Sequence, residues 1–339
     1  MNKTSQAAKD ASLSFVRFIA MCFIVLCHIL QYYGNALAWW FNVGVQMFLF
    51  LSGYLYGAKK QKNLLLFYKR CLIKILTDYY LYLLLYFALF TPLLARICGE
   101  SPVNMRSVLG LLTLTQTASG IHHLWYIPYI LLCYLIVPFA YEGIQMIISR
   151  RFFYVYTVVF LLLLELLVAK AVPPLNPAWI VCFLLGMVFR ALELHQPALT
   201  RRFISICCAL CMIMNAIQIG AQYFDIPQVT SPYAVLQARW NDYAHVFLGI
   251  TLFFAFRRVY HAIHSTRIHR WLSPALGWSD RYSYDVYLVH HVYILSYCSL
   301  LYWVKPTILA LCATFVLTII TAVALGRLSD LVRKALFFS

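Results

Sequence analysis

The chain has 339 residues, of which 63% are hydrophobic and only 11% are charged. An average soluble domain carries about 25% charged residues, so this composition excludes a water-soluble globule. The net charge of +16 would suit nucleic-acid binding if the basic residues covered a polar surface, but here they separate apolar runs. The composition therefore indicates an integral membrane protein that does not bind nucleic acid.

Apolar segments of about the length of a transmembrane helix follow one another along the chain. Each is predicted to be a helix, because backbone exposed to lipid must satisfy its own hydrogen bonds. The predicted fold class is an all-α, multi-pass membrane protein with about ten transmembrane helices. The predicted spans are residues 13–34, 40–58, 75–95, 122–141, 152–171, 178–194, 203–222, 243–260, 282–303 and 307–326.

The first span has some features of a signal peptide, since Lys3 and Lys9 precede it and an Ala-x-Ala sequence follows at residues 36–38. We expect a retained helix instead. The apolar run is too long for a signal peptide, it contains Arg17 and His28, and further spans follow it.

Lysine and arginine are unevenly distributed over the loops. Alternate loops on the side of the N-terminus carry 20 of them, and the opposite side carries five. The positive-inside rule then predicts an even number of spans with both termini in the cytoplasm. The predicted organisation is a cytoplasmic segment 1–12, a transmembrane domain 13–328 and a cytoplasmic tail 329–339.

No structural metal site is expected. The histidines and the 11 cysteines lack the spacing of a tetrahedral site, and the odd number of cysteines does not suggest a disulfide framework. Cys208 and Cys211 form a CxxC sequence inside an apolar segment, where thiols usually serve as small core residues.

Arg17 and His28 stand out in the first span because ionisable groups inside a membrane are costly and usually functional. Their spacing lies about 20° from whole helical turns and covers about 16 Å, so they share one face at two depths. Either residue alone has a simpler explanation. Arg17 would snorkel to the interface, and His28 would be a hydrogen-bonded core histidine.

Polar groups also cluster in three later spans. Asn42, Gln46 and Gly53 share one face of the second span, which helix packing alone would explain. His123, Trp125 and Tyr126 open the fourth, where aromatic residues are typical of a membrane interface. The ninth contains Ser283, Tyr287 and His290 on one face, with Asp285 roughly opposite and His291 adjacent.

Asp78 and Glu165 are candidates for counter-ions or for orienting partners of a histidine.

Taken in order, these residues resemble the motifs of the acyltransferase-3 family of integral-membrane acyltransferases, over nearly the whole chain. The first motif is an Arg and a His separated by ten residues, matched by Arg17 and His28. The second motif, a glycine-and-aromatic stretch that ends in Ser-Gly, is matched by residues 43–45, Phe48 and residues 52–55. The third, His-x-Trp-aromatic, is matched by His123, Trp125 and Tyr126. The fourth, Ser-Tyr-x-x-Tyr-Leu-x-His, is matched by Ser283, Tyr284, Tyr287, Leu288 and His290. One departure is Thr77-Asp78, where the family pattern would place a proline.

The resemblance implies an O-acetyltransferase of the plasma or inner membrane. It would move an acyl group, acetyl above all, from cytoplasmic acyl-CoA to a hydroxyl of a cell-surface glycan or lipid-linked sugar. His28 would be the catalytic base, and Arg17 would act in catalysis and lie on the donor route. Substrate-binding candidates are Ser52, His123, Trp125, Tyr287 and His290. Candidates for the donor phosphates are Arg17, Lys59, Lys60, Arg70, Arg257 and Arg258, which topology or anionic lipid would also explain.

The same residues are also compatible with other functions. A secondary transporter or glycolipid flippase would also use intramembrane Arg, His and acidic residues. A polysaccharide polymerase is a further many-span alternative, although such enzymes usually have a large external loop. The sequence indicates neither the acceptor nor the oligomeric state, and it leaves direct transfer and an acyl-histidine intermediate as alternatives.

Overall fold

The computed structural model describes residues 10–98, 104–118, 120–148, 150, 152–171, 176–223, 233–296 and 298–337. Within these residues all regular structure is helical, which confirms the all-α prediction. Lys3 and Lys9, which contribute to the predicted orientation, lie outside the described residues. Most of the predicted segment 1–12 and the end of the predicted tail 329–339 lie outside them as well.

The helices run in chain order as follows. They are α1 (Ala11–Tyr32), α2 (Ala38–Phe41), α3 (Gly44–Tyr56), α4 (Leu64–Leu85), α5 (Thr91–Cys98), α6 (Met105–Leu112), α7 (Tyr126–Ile148), α8 (Phe153–Ala171), α9 (Pro177–His195), α10 (Pro197–Tyr223), α11 (Tyr233–Ile263), α12 (Arg267–Leu295), α13 (Leu300–Trp303) and α14 (Thr307–Phe337). A π-helical turn, Tyr86–Phe90, joins α4 to α5, and a 3₁₀ turn, His122–Trp125, leads into α7.

Seven helical segments of the described chain are long and apolar enough to cross a membrane. They are Ala11–Tyr32, Leu64–Leu93, His122–Ile148, Pro177–His195, Pro197–Gly220, Arg239–Ile263 and Thr307–Leu336. The other three predicted spans fall on shorter or more polar helices. α3 has only 13 residues, the apolar part of α8 is Phe153–Val168, and α12 begins in a basic, exposed segment. The count of ten spans and the orientation of the termini remain predictions.

Side-chain caps fix where several helices begin. The Asp10 carboxylate accepts a hydrogen bond from the backbone amide of Ser12 at 3.0 Å, so α1 begins just before its apolar run. Asn63, Asn104 and Asn176 cap α4, α6 and α9 in the same way. Each cap satisfies a backbone amide that the first helical turn leaves without an intrahelical partner.

The centre of the bundle is the close packing of α3 against α9. A Cβ atom on Gly53 would lie 1.8 Å from the carbonyl oxygen of Phe183, and one on Gly186 would lie 2.2 Å from that of Phe50. Only glycine permits such an approach of two backbones. α1 packs against α3 on one side and against α12 on another. The α1–α12 interface holds the candidate site.

Candidate active site

Four histidines meet where α1, α12 and the turn before α7 come together. The ring of His28 lies 5.1 Å from that of His290 and 4.8 Å from that of His291, measured between ring centroids. His123 lies 5.2 Å from His290 and stacks on His291 at 4.6 Å. Three separate segments of the chain therefore converge on one cluster, hereafter the histidine cluster.

A turn at Gly120 brings His123 and His291 together. Gly120 has a φ of +77°, in the left-handed region that favours glycine. Its carbonyl oxygen accepts a hydrogen bond of 2.8 Å from Nδ1 of His291. Three residues later, Nε2 of His123 donates to the carbonyl oxygen of Leu288 at 3.0 Å. Reciprocal hydrogen bonds thus hold the turn and α12 in a fixed register.

Each histidine has one ring nitrogen committed as a donor. Nδ1 of His290 donates to the carbonyl oxygens of Val286 and Tyr287, at 3.0 and 2.8 Å. Nδ1 of His28 donates to Oε1 of Gln31 at 2.6 Å. In a neutral imidazole the second nitrogen is then an acceptor, so the four hydrogen-bonded rings each retain one nitrogen with a free lone pair.

The four rings differ in exposure. His290 is fully buried, and His123 and His291 expose only 3% and 4% of their surfaces, whereas His28 is half-buried and Gln31 is exposed. His28 is therefore the member of the cluster that a molecule from outside the bundle reaches first. In the described part of the chain, the histidines are not arranged as a metal-binding group.

A cavity of about 710 Å³ approaches this cluster from the other end of α1. Its walls come from α1, α3, α4, α7, α12 and α14. Its lining includes Arg17, Ile24, Ser52, Tyr126, Tyr134, Ser283, Tyr284 and Tyr287. Ile24 lies one helical turn before His28 on the same face of α1. The cavity therefore extends to within one turn of the half-buried histidine.

Charged side chains surround the opposite end of the cavity, hereafter its charged end. Arg17 forms an ion pair with Asp280, whose other oxygen accepts a hydrogen bond of 2.6 Å from Ser14. Arg333 pairs with Asp78 at 2.8 Å. Asp330 pairs with both Arg333 and Arg281.

Lys74 is the remaining cation of the charged end. It lines the cavity, and it forms no ion pair within 4.0 Å among the described residues. The guanidinium of Arg333 donates to its carbonyl oxygen at 3.3 Å, which fixes the backbone of Lys74 beside α14. The ammonium group of Lys74 is thus available to an anion that enters the cavity.

The predicted residues fall into two groups. Arg17, Ser52 and Tyr287 line the cavity, and His28, His123 and His290 form the histidine cluster. The Tyr287 hydroxyl connects the two, because it donates to the carbonyl oxygen of His123. Trp125 lies outside both groups and stacks on Trp179 at 4.0 Å.

Apart from Arg17, the basic residues predicted to hold donor phosphates lie away from the cavity. Lys59, Arg70 and Arg258 are exposed. Lys60 is paired with Glu142 at 2.6 Å, and this hydrogen bond raises the pKa of Lys60. Arg257 contacts Glu193 at 3.2 Å and the Tyr54 hydroxyl at 2.8 Å.

Sequence reasoning did not single out Lys74, Asp280, Arg333 or Gln31. Two patterns in the sequence could have pointed to Asp280 and Gln31. Asp280 precedes His291 by the same 11 residues that separate Arg17 from His28, which is the pattern expected of two parallel helices in contact. Gln31 follows His28 by three residues, a spacing that brings two side chains together on one helical face.

Comparison with known families gives an independent result. The family model described as an acyltransferase domain matches residues 10–327, nearly the whole chain. Neither the curated proteins nor the solved structures gave a significant match. The match over residues 10–327 places this protein in the acyltransferase-3 family of membrane acyltransferases, in agreement with the seven helical segments of the described residues that could span a membrane.

Proposed function

We propose that the protein transfers an acyl group, in the first instance acetyl, from cytoplasmic acyl-CoA to a hydroxyl of a cell-surface glycan or lipid-linked sugar. The observation that carries the proposal is the cavity between the charged end and Ile24, one helical turn from His28. It extends from a group of charged side chains to within one helical turn of the proposed base. In this proposal the protein lies in the plasma or inner membrane with both termini in the cytoplasm, and the charged end opens to the cytoplasm.

The donor is polyanionic at one end and carries its thioester at the other. We assign the phosphates to the charged end, where Lys74 has no ion-pair partner among the described residues and Arg17 and Arg333 lie nearby. The pantetheine arm would extend past Ser52 and Tyr134 toward Ile24. Arg and Lys side chains are suitable partners for phosphate oxygens. The exposed Lys59, Lys60, Arg70 and Arg258, together with Arg257, would attract the donor at longer range.

In this proposal His28 is the general base. Its Nδ1 donates to Gln31, so Nε2 accepts the proton when the O–H bond of the acceptor breaks. The acceptor oxygen forms a bond with the thioester carbonyl carbon, and the bond from that carbon to sulfur breaks. The proton then passes from Nε2 to the departing sulfur, so the products are the ester and the free CoA thiol. Ser52, which lines the cavity, is a candidate donor to the transient oxyanion.

Water must be kept from the thioester, because hydrolysis would compete with transfer. Buried apolar residues on α7 and α12 support this requirement. Leu288 and Val292 are buried beside the cluster, and Ile127 and Ile130 are buried on α7. An apolar surround of this kind favours the acceptor hydroxyl over bulk water.

The test uses the purified full-length protein in proteoliposomes with radiolabelled acetyl-CoA and a panel of soluble sugars. The parent protein is expected to transfer label to an acceptor, and His28→Ala and His28→Gln are expected to lose transfer by roughly 100-fold or more. His122→Ala is the matched control, because His122 is exposed and outside the histidine cluster. Full activity in both His28 variants would refute the assignment of the base. Movement of a sugar without consumption of acetyl-CoA would favour a transporter.

A further inference from the structure

A second cavity, hereafter the α4–α14 groove, lies on the outer surface of the helix bundle. It has a volume of about 500 Å³ and shares no lining residue with the cavity of the candidate site. Among the described residues, its lining includes no charged side chain. Most of the wall comes from one face of α4, and the end of α14 completes it. The principal residues are Leu72, Leu76, Tyr80 and Leu84 on α4 and Val332 and Leu336 on α14.

The groove faces the lipid rather than the interior of the bundle. Both helices belong to segments that are long and apolar enough to cross a membrane, and Leu84 and Leu336 expose 64% and 67% of their surfaces. The hydroxyl of Tyr80 donates to the carbonyl oxygen of Leu112 at 2.9 Å, so it needs no partner from the lipid. An apolar chain is the suitable occupant, because an empty groove would leave its walls without van der Waals contacts.

The length of the groove corresponds to one leaflet of a bilayer. Leu72 and Leu84 are separated by a helical rise of about 18 Å. The hydrocarbon core of a bilayer is about 30 Å thick, so one leaflet contributes about half of that. A single fatty acyl chain that enters from the headgroup region is therefore long enough to cover the α4 wall.

Positive charge lies at one end of the groove. Lys69 and Arg70 lie three residues before Leu72 and Ile73, which both line it, so they share the same helical face one turn earlier. Both cations are exposed, and residues 59–77 contain no acidic residue. Lysine and arginine beside a membrane surface attract anionic headgroups. One anionic phospholipid would thus meet an apolar wall with its chain and two cations with its phosphate.

The groove and the candidate site lie on opposite sides of the same two helices. Thr77 and Val332 line the groove. Their neighbours in sequence, Asp78 and Arg333, form the 2.8 Å ion pair of the charged end and line the other cavity. A chain in the groove would therefore pack against the outer side of the contact that holds this ion pair.

We infer that the α4–α14 groove binds an anionic phospholipid from the leaflet at the charged end. One acyl chain lies along α4, and the phosphate contacts Lys69 and Arg70. The lipid braces α4 against α14 from the membrane side. The site is distinct from those proposed for the acyl donor and the acceptor, so the inference does not depend on the proposed reaction.

The experiment measures lipid retained by the purified full-length protein in detergent, by native mass spectrometry. The probes are dioleoylphosphatidylglycerol, dioleoylphosphatidylcholine and dihexanoylphosphatidylglycerol, which has the anionic headgroup but only short chains. One dioleoylphosphatidylglycerol per chain is expected, at roughly 5- to 30-fold higher affinity than either other lipid, because each of them lacks either the net charge or the long chain. Equal retention of the two dioleoyl lipids would overturn the anionic headgroup. Equal retention of the two phosphatidylglycerols would overturn the acyl-chain site. Neither comparison requires a variant.

Two pairs of variants test the location. Lys69→Gln/Arg70→Gln is expected to lose the preference for phosphatidylglycerol over phosphatidylcholine. Arg201→Gln/Arg202→Gln, at two exposed positions of α10, is the matched control and should keep it. A folded Lys69→Gln/Arg70→Gln protein with the parental preference would overturn the assignment of the phosphate.

The second pair fills the groove itself. Thr77→Trp places a large side chain in it and is expected to reduce retention of dioleoylphosphatidylglycerol, whereas Leu163→Trp, at an exposed position of α8, should not. Parental retention in a folded Thr77→Trp protein would overturn the assignment of the groove. A parent dimer that becomes a monomer in Thr77→Trp, with no lipid retained by either protein, would show that a second copy of the chain covers the groove.

Discussion

Arg17 and Asp280 form an ion pair between α1 and α12, and each precedes by 11 residues a histidine of the same cluster. The two histidines, His28 and His291, have their ring centroids 4.8 Å apart. Contacts repeated at the same spacing on both helices require that α1 and α12 run parallel here. The ion pair therefore fixes the register in which the rings meet.

Removing one charge of this pair is expected to destabilise the protein. Arg17→Gln leaves the largely buried Asp280 carboxylate without its guanidinium partner, at a cost of about 1–3 kcal/mol. The double variant Arg17→Gln/Asp280→Asn leaves neither charge, so it should recover part of that loss. Thermal unfolding in detergent measures the loss of stability in the single variant and its recovery in the double variant. Equal instability of the single and double variants would contradict the coupling, and Arg202→Gln, at an exposed position on α10, is the control.

The same pair of variants tests whether Arg17 has a role beyond stability. If Arg17 contacts the donor, the double variant is expected to recover stability while its KM for acetyl-CoA remains raised. Recovery of both properties would show that Arg17 acts through helix register alone. The two measurements therefore separate a donor-binding role from a structural one.

Gln31 is expected to fix the tautomer of His28, the proposed base. Gln31→Leu removes the acceptor of the 2.6 Å hydrogen bond from Nδ1 of His28, so the ring is free to place its proton on Nε2. We expect a fall in kcat of roughly 10-fold or more, with the KM for acetyl-CoA unchanged. Gln31→Glu keeps an acceptor and should retain most of the activity. A Gln31→Leu protein with parental kcat would contradict the prediction.

The sequence predicts the helices of this fold well and their arrangement poorly. Apolar runs place both ends of α1 and α9 and the starts of α7 and α14 within a few residues, because helix formation in lipid depends on local composition. His28 and His290 were each singled out as costly polar groups in a membrane. Their contact joins positions more than 260 residues apart, and helical periodicity within a segment carries no information on such packing.

The cationic part of the site was harder to predict for a different reason. Lys59, Lys60 and Lys74 are equivalent in a count of basic residues near one side of a membrane. Only the packing of α4 against α14 shows that Lys74 lines the cavity, whereas Lys60 pairs with Glu142 at 2.6 Å on the surface. Charge distribution therefore indicates the side of the membrane but does not identify the residues of a binding site.

The contact between α3 and α9 is expected to be sensitive to a single methyl group. In Gly53→Ala the new Cβ would lie 1.8 Å from the carbonyl oxygen of Phe183, so the two backbones must separate. We expect a loss of about 3 kcal/mol or more in the free energy of unfolding. Gly143→Ala is the matched control in α7, where a Cβ meets nothing within 4 Å, and it should be neutral or slightly stabilising. Thermal unfolding in detergent compares the stability of the two variants. Equal melting temperatures of Gly53→Ala and Gly143→Ala would contradict the close packing of α3 against α9.

Lys74 is expected to contribute to donor binding through the phosphates of CoA. Lys74→Ala removes the cation of the charged end that lacks an ion-pair partner among the described residues, so the KM for acetyl-CoA should rise roughly 5- to 50-fold with little change in kcat. The effect should be small for S-acetyl-pantetheine, which keeps the thioester but has no phosphate. Lys334→Ala is the control, since Lys334 neighbours Arg333 in sequence yet is exposed and does not line the cavity. An equal loss with both donors would show that Lys74 supports the shape of the cavity rather than binding phosphate. An unchanged KM for acetyl-CoA would instead favour the surface lysines and arginines as the phosphate partners.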